Sequence, residues 1–144
     1  VSTPFPYPPR CRLKDGWARG GCGACTVVIG ELVEGNVVHR AINACILFIG
    51  MLEGKSVLTV EYLQAPDGRL HPVQQAMVDK HGSQCGFCTP GFVMSMYAAY
   101  VSGQPMDADS APDLLAGNLC RCTGYDKIVR AVQAAAKDMR KSRK

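Results

Sequence analysis

The first half of the chain alternates short apolar runs with turn residues, a pattern that predicts β-strands. Apolar and β-branched residues dominate positions 26–33 and 36–40, and the Glu-Gly pair at 34–35 between them predicts a hairpin turn. The β-branched content of positions 55–62 predicts another strand. Positions 41–52 are also apolar, and we expect a short helix there.

The second half of the chain carries apolar residues at helical spacing. Its predicted helices begin at Pro72, Thr89, Ser110 and Asp126. Proline in a first turn, threonine as an N-cap and the Ser-Ala-Pro-Asp pattern at 110–113 are the start signals. Gly82, Gly103 and Gly117 end the first three helices. Four short amphipathic helices predict a small bundle, and we assign their methionine and tyrosine side chains to its core rather than to a cofactor.

Proline-rich and turn sequences divide the chain into segments. Four of the first ten residues are proline, which predicts an extended or disordered tail over residues 1–13. The Gln-Ala-Pro-Asp-Gly sequence at 64–68 is typical of a turn and predicts a domain boundary. We therefore expect an α+β protein in which a strand-rich segment, 14–66, precedes a helical domain, 67–144.

The composition is that of an ordinary globular protein. Of the 144 residues, 47% are apolar and 19% are charged, and the net charge is +4. Basic residues cluster at the C-terminal end, where a solvated chain end is favoured over a nucleic-acid-binding tail. The sequence shows neither an apolar run long enough to span a membrane nor a secretory signal. We expect a cytoplasmic protein without membrane or nucleic-acid partners.

Cysteine is the most informative residue type in this chain. The eight cysteines are Cys11, Cys22, Cys25, Cys45, Cys85, Cys88, Cys120 and Cys122. A disulfide framework requires a secreted chain, and the export signal is missing. Cys120 and Cys122 have one residue between them, too few to pair easily with each other but suitable for two thiolates aimed at one centre. Ligation of a metal or a metal cluster is the favoured interpretation.

Two cysteine pairs in the helical half each precede a predicted helix. Cys85 and Cys88 precede the second helix, and Cys120 and Cys122 precede the fourth. Helix N-termini offer free N–H groups and a positive dipole end, which stabilise an anionic thiolate-bound cluster. Structural zinc is the alternative, but its ligand pairs are usually spaced two to four residues apart, which only the first pair satisfies. A [2Fe–2S] cluster on these four cysteines is therefore predicted.

A second cysteine set lies in the strand-rich half. Cys22, Cys25 and Cys45 match the last three ligands of the plant-type ferredoxin pattern, in which the first ligand lies five residues before the second. That position is occupied by Trp17, which cannot ligate iron. Cys11 could substitute if the intervening segment folds back, and Asp15 is a weaker candidate.

Five motifs resemble the two-cluster iron–sulfur region of the xanthine dehydrogenase, or molybdenum hydroxylase, family. They are Gly21-Cys-Gly-Ala-Cys-Thr26, Asn43-Ala-Cys45, His71-Pro-Val-Gln-Gln75, Gly82-Ser-Gln-Cys-Gly-Phe-Cys-Thr-Pro-Gly91 and Gly117-Asn-Leu-Cys-Arg-Cys-Thr-Gly-Tyr125. The resemblance implies a ferredoxin-like β-grasp domain followed by a four-helix domain, each carrying one [2Fe–2S] cluster. This chain lacks the opening strands and helix of that pattern, so it resembles an N-terminally truncated member. With Trp17 in place of a ligand, we expect the first cluster to be absent or labile.

The resemblance also implies a function. Electrons would pass from a molybdopterin subunit through the [2Fe–2S] centres toward FAD on another subunit or domain, and Gln84 would contact the pterin. This chain alone carries no substrate site and no catalytic residue. The xanthine dehydrogenase branch is the first expectation, and aldehyde, carbon monoxide and isoquinoline-type branches are alternatives. A zinc-stabilised interaction module and a non-functional fragment are the competing hypotheses.

Overall fold

A small antiparallel sheet occupies the first half of the chain. In the computed structural model, which describes residues 14–142, its strands are β1 (Thr26–Val33), β2 (Asn36–Asn43) and β3 (Ser56–Leu58). The strand order is β2-β1-β3, so β1 is the central strand. Because β1 pairs on both sides, its backbone groups are largely satisfied, and its first five residues are buried.

The turn between β1 and β2 confirms the predicted hairpin. Val33 pairs with Asn36, so the loop consists of Glu34 and Gly35 alone. Both residues have positive φ angles, 50° and 82°. Positive φ at both central positions is what a type I′ turn requires, and this turn matches the twist of a two-stranded ribbon.

The prediction of a short helix at 41–52 is wrong. β2 continues to Asn43, and two single-turn 3₁₀ helices follow, Ala44–Ile46 and Ile49–Leu52. The strand extends this far because β1 begins at Thr26, which pairs with Asn43. Pairing with the central strand therefore overrides the helical propensity of this apolar run.

The strand predicted at 55–62 is shorter than expected. Only Ser56–Leu58 forms β3, and Val60–Leu63 is a 3₁₀ helix. The turn places Val60 and Leu63 in the hydrophobic core. Burial of these two apolar side chains favours the turn over further pairing at the sheet edge.

Four α-helices follow in the second half, as predicted. They are α1 (Pro72–Asp79), α2 (Thr89–Ser102), α3 (Ala111–Leu115) and α4 (Asp126–Ser142). Before α1, the Nδ1 atom of His71 accepts the N–H of Val73, and the His71 N–H donates to Gln74 Oε1. This reciprocal capping fixes the start of α1.

The predicted capping roles of Thr89 and Ser110 are wrong. Cys88 occupies the N-cap position of α2, and the Thr89 hydroxyl donates instead to Ser83 Oγ at 2.8 Å. The Ser110 hydroxyl makes no cap hydrogen bond and pairs with Asp107. Each hydroxyl has a closer partner in its own loop, which local pattern alone does not reveal.

One hydrophobic core joins the sheet to the helices. α2 lies at its centre, where Phe92, Met94 and Met96 are completely buried, and Val28 from β1 and Ile128 from α4 pack in the same cluster. The methionines of the predicted stripe are therefore core residues. The α+β class is confirmed, whereas the division of the chain near residue 66 stays a prediction. The proline-rich segment 1–13 lies outside the described residues.

Candidate metal centre

Four cysteine side chains from two loops meet at one cavity. Cys85 and Cys88 come from the loop before α2, Cys120 and Cys122 come from the loop before α4, and all four line a cavity of about 340 Å³. The Sγ atoms of Cys85 and Cys122 are 3.5 Å apart, although the residues are 37 positions apart in the chain. The structure thus brings together the two pairs that the sequence places before helix N-termini.

The sulfurs pair across the two loops rather than within them. Besides the Cys85–Cys122 contact, Cys88 and Cys120 interact across the loops, and Cys120 is one of the causes that raise the pKa of Cys88. Cys85 and Cys122 are exposed, and we call them the outer pair. Cys120 is buried and Cys88 is half-buried, and we call them the inner pair. The site therefore has one end facing solvent and one end facing the protein.

The surroundings shift the pKa values of the two inner-pair thiols in opposite directions. Burial, with a further contribution from Cys120, raises the pKa of Cys88 to about 12. Burial also acts to raise the pKa of Cys120, but hydrogen bonds, first of all from the Thr123 side chain, outweigh it and lower the pKa. Cys120 is thus the inner sulfur that the surroundings favour as a thiolate, the form that binds metals.

The pKa values of the two outer-pair thiols are also shifted in opposite directions. The backbone N–H of Phe87 is the main cause that lowers the pKa of Cys85. The hydrogen bond from the Cys122 thiol is the second cause. The hydrogen bond to Cys85 raises the pKa of Cys122. Each pair therefore contains one sulfur whose negative charge the protein already stabilises.

Three hydrogen bonds close a ring around the second cysteine loop. The Cys120 N–H donates to Tyr125 Oη at 2.9 Å, the Tyr125 N–H donates to Thr123 Oγ1 at 3.2 Å, and Thr123 Oγ1 lies 3.1 Å from Cys120 Sγ. The sequence reasoning missed Thr123 and Tyr125. The sequence shows a hydroxyl residue, Thr123, directly after Cys122. Only the fold reveals that this hydroxyl contacts the sulfur of Cys120.

The N-terminal cysteines are held by backbone hydrogen bonds to their sulfurs. The Trp17 N–H donates to Cys22 Sγ at 3.4 Å, the Gly20 N–H donates to Cys45 Sγ at 3.2 Å, and the Cys45 N–H donates to Cys25 Sγ at 3.4 Å. Cys22 and Cys25 are buried, and Cys45 is half-buried. Burial raises the pKa of Cys25.

Trp17 occupies the position of the first ferredoxin ligand. Its side chain is 46% exposed, and the Arg19 guanidinium lies 5.4 Å from the centre of the indole ring. The indole N–H is a donor only and offers no lone pair to iron. Asp15 is exposed, and Cys11 lies outside the described residues. The described residues therefore bring three thiols to this loop, with the Trp17 indole at the position of the missing first ligand.

The two cysteine regions touch through their backbones. The Leu119 N–H donates to the Cys22 carbonyl oxygen at 3.0 Å, and Cys22 also lines the cavity of the helical cysteines. Gly91, in the first turn of α2, lies so close to the Gly23 carbonyl oxygen that a Cβ atom at Gly91 would clash with it. A larger residue at Gly91 cannot be placed without moving the N-terminal cysteine loop.

Asn118 forms buried hydrogen bonds on both sides of this junction. Its Nδ2 group donates to the Gly23 carbonyl oxygen at 3.0 Å, and its Oδ1 atom accepts the Ser95 hydroxyl at 2.6 Å. Asn118 is only 3% exposed, so these bonds are shielded from water. The sequence reasoning missed this residue, which no local pattern distinguishes from an ordinary loop asparagine.

Gln84 is exposed and directly precedes Cys85 of the outer pair. Its contact with a pterin remains a prediction.

Between residues 14 and 142, no three or more His, Cys, Asp or Glu side chains are arranged around the position of a single metal ion. No helix in the same range is long and apolar enough to cross a membrane.

Known proteins resemble this chain over most of its length. The sequence model of the [2Fe-2S] binding domain family matches residues 59–133. Xanthine dehydrogenase of Drosophila pseudoobscura pseudoobscura is 46% identical over 130 residues, which is 89% of this chain and 10% of that protein. Aldehyde oxidase 1 of Oryctolagus cuniculus is 48% identical over 126 residues, which is 86% of this chain and 9% of that protein. The chain thus spans about a tenth of the length of these curated relatives.

Solved structures show the same fold. The aldehyde oxidoreductase of Desulfovibrio desulfuricans has a TM-score of 0.76 at 39% identity, covering 91% of this chain and 14% of that one. Quinoline 2-oxidoreductase of Pseudomonas putida has a TM-score of 0.73 at 32% identity, covering 90% of this chain and 75% of that one. The chain belongs to the [2Fe–2S] binding domain family, in the group formed by the xanthine dehydrogenases and aldehyde oxidases, which are molybdenum hydroxylases.

Proposed function

We propose that this chain is an electron-transfer module that holds a [2Fe–2S] cluster on Cys85, Cys88, Cys120 and Cys122. The observation that carries the proposal is the convergence of these four thiols, from two loops, on one cavity. The chain would serve as the iron–sulfur part of a xanthine-dehydrogenase-like hydroxylase, with no substrate site of its own.

The residues at the site fit such a cluster. The cavity lining contains thiols, apolar groups and Arg121 but no histidine or carboxylate, so its metal donors are the sulfurs that a [2Fe–2S] centre requires. Both loops lead into helix N-termini, α2 and α4, whose dipoles favour anionic ligands. When bound, the cluster supplies one-electron exchange. The chain's own residues would hold it through sulfur, and the Thr123 hydroxyl, 3.1 Å from Cys120 Sγ, would donate a hydrogen bond to one of those sulfurs.

The exposed end of the site supports exchange with a partner. Cys85 and Cys122 face solvent, and exposed Gln84 adjoins them in the chain. Electrons would enter here from a molybdopterin-binding subunit that Gln84 helps to dock, and would leave toward FAD on another subunit or domain. The names of the relatives favour a purine or an aldehyde as the substrate of the assembled enzyme, with xanthine dehydrogenase as the first choice. The proposed location is the cytoplasm.

The N-terminal cysteines form a weaker second site in this proposal. Cys22, Cys25 and Cys45 accept backbone hydrogen bonds that suit cluster sulfurs, but Trp17 stands at the position of the first ligand. Three thiolates leave one coordination position of a cluster to water or an improvised ligand. A cluster here would be absent or easily lost.

Metal analysis and visible spectroscopy of the anaerobically prepared chain test the proposal. We expect roughly two irons per chain, from one cluster, and visible absorption that bleaches on reduction with dithionite. Cys120→Ser should abolish iron and colour, whereas the matched variant Cys45→Ser should retain both. Zinc without colour would favour an interaction module instead, and a chain that takes up no metal would favour a non-functional fragment. Either result overturns the proposal.

A further inference from the structure

Thr123 lies against the sulfur of Cys120, which is the least exposed residue among the four helical cysteines. Its Oγ1 atom is 3.1 Å from Cys120 Sγ, and Cys120 is 7% exposed. Water competes poorly at such a position, so a single hydroxyl has a larger electrostatic effect on the sulfur than it would at the exposed end of the site. The other three cysteines of the site are all more exposed.

The neighbouring groups determine which way this hydrogen bond runs. A hydroxyl has one proton to donate and two lone pairs to accept with. The Tyr125 N–H already donates to Thr123 Oγ1 at 3.2 Å, which leaves the hydroxyl proton free for the sulfur. A ligating Cys120 is a thiolate and can only accept. With Cys120 bound to metal, Thr123 is therefore the donor.

Tyr125 holds this hydroxyl in place. Its Oη atom accepts the Cys120 N–H at 2.9 Å, and its ring packs edge-on against Phe92 with 6.2 Å between ring centres. Tyr125 also has a φ angle of 68°, a left-handed conformation that is unfavourable for a residue with a side chain. Such a conformation persists only where surrounding contacts enforce it, as they do at many functional sites.

We infer that Thr123 raises the reduction potential of the cluster by donating a hydrogen bond to Cys120 Sγ. The inference rests on the proposed function, in which Cys120 is a cluster ligand. Reduction by one electron, from the molybdopterin-binding partner of the proposed function or from dithionite in the test, would break no bond and would leave the proton on Thr123. The added negative charge is shared by the ligand sulfurs, so a donor on one of them stabilises the reduced form more than the oxidised form.

The other cysteine loop offers a matched control residue. Thr89 follows Cys88 directly, as Thr123 follows Cys122, but its hydroxyl donates to Ser83 Oγ at 2.8 Å rather than to a sulfur. Thr89→Val therefore removes a hydroxyl at the same distance along the chain from a ligand without removing a hydrogen bond to sulfur.

The test is a reductive titration of the full chain with its cluster, followed by visible absorption under anaerobic conditions. Thr123→Val should lower the equilibrium constant for reduction about tenfold, which for a one-electron couple is a shift of 59 mV to more negative potential. Thr123→Ala should give a shift of the same sign and carries the test if the valine variant does not assemble. Thr123→Ser, which keeps the hydroxyl, and Thr89→Val should both stay at the wild-type potential.

Potentials in Thr123→Val or Thr123→Ala that match the wild type, with the cluster spectrum intact, would overturn the role of Thr123 alone. An equal shift in Thr89→Val would do the same, because the effect would then not depend on the bond to sulfur. A wild-type chain that binds no cluster would overturn the proposed function, and this inference with it.

Discussion

Replacing Gly91 with alanine is expected to destabilise the protein, although alanine is the better helix former. Gly91 lies in the first turn of α2, where helix propensity alone favours alanine by about 1 kcal/mol. A Cβ atom at this position would clash with the Gly23 carbonyl oxygen and lie 2.9 Å from Asn118 Nδ2. The two effects have opposite signs, so the direction of the measured change decides between them.

The clash is the larger effect. Overpacking a well-packed site typically costs about 1–3 kcal/mol, and the obstacle here is backbone, which cannot rotate away. Separating the loop from α2 would also weaken the hydrogen bonds from Leu119 to Cys22 and from Asn118 to Gly23, at about 1 kcal/mol each. After subtracting the gain in propensity, we expect a net loss of roughly 2–4 kcal/mol in the free energy of unfolding.

Urea unfolding of the cluster-free chain under reducing conditions, followed by far-ultraviolet circular dichroism, measures this loss. In a thermal scan the same loss corresponds to a fall in Tm of roughly 4–16 °C for a protein of this size. Gly50→Ala is the matched control, because Gly50 is exposed and a Cβ atom there meets nothing within 4 Å. Its effect should stay within about 0.5 kcal/mol. A Gly91→Ala chain as stable as the wild type would refute the close approach of α2 to the cysteine loop.

Three further changes test other parts of the molecule. Trp17→Cys should raise bound iron from roughly two to roughly four atoms per chain, because three sulfurs at that loop already accept N–H bonds; an unchanged iron content would show that the missing ligand is not the limiting defect. Gln84→Ala should weaken co-purification of a molybdopterin-containing subunit and leave the cluster spectrum intact, since the side chain is exposed beside the outer pair; loss of the cluster would indicate a structural role instead. Burial lowers the pKa of His71 below its ordinary 6.5. As the pH falls below 6.5, the unfolded chain therefore binds more protons than the folded chain, and the free energy of unfolding declines. His71→Asn, which keeps a capping acceptor, should flatten that decline in the urea midpoint.

Features that depend on neighbouring residues were predictable from the sequence. The hairpin at 34–35 needs only two residues that accept positive φ between two strand-forming runs. The starts of α1 and α4 at Pro72 and Asp126 follow from the residues that favour a first helical turn. The spacing of the cysteines before two helices likewise predicted that both pairs would lie at helix N-termini.

Apolar runs without a clear period were not predictable in this way. Positions 41–52 could form a helix or a strand, and pairing with β1 decided in favour of the strand up to Asn43. Positions 55–62 have strand-forming residues, but burial of Val60 and Leu63 ended the strand early. In both cases a partner distant in the chain outweighed local propensity by a small free energy.

The sequence by itself determined which thiols exist, how they are spaced and which helices follow them. Only the tertiary structure decided that Cys85 meets Cys122, that Cys120 is buried beside Thr123, and that Asn118 bonds to a carbonyl 95 positions away. The periodic patterns in the intervening chain predict its strands and helices but do not specify which of these residues meet. The contacts of the buried residues Cys120 and Asn118 form because close packing of α2, the cysteine loops and the sheet leaves each buried polar group few possible partners.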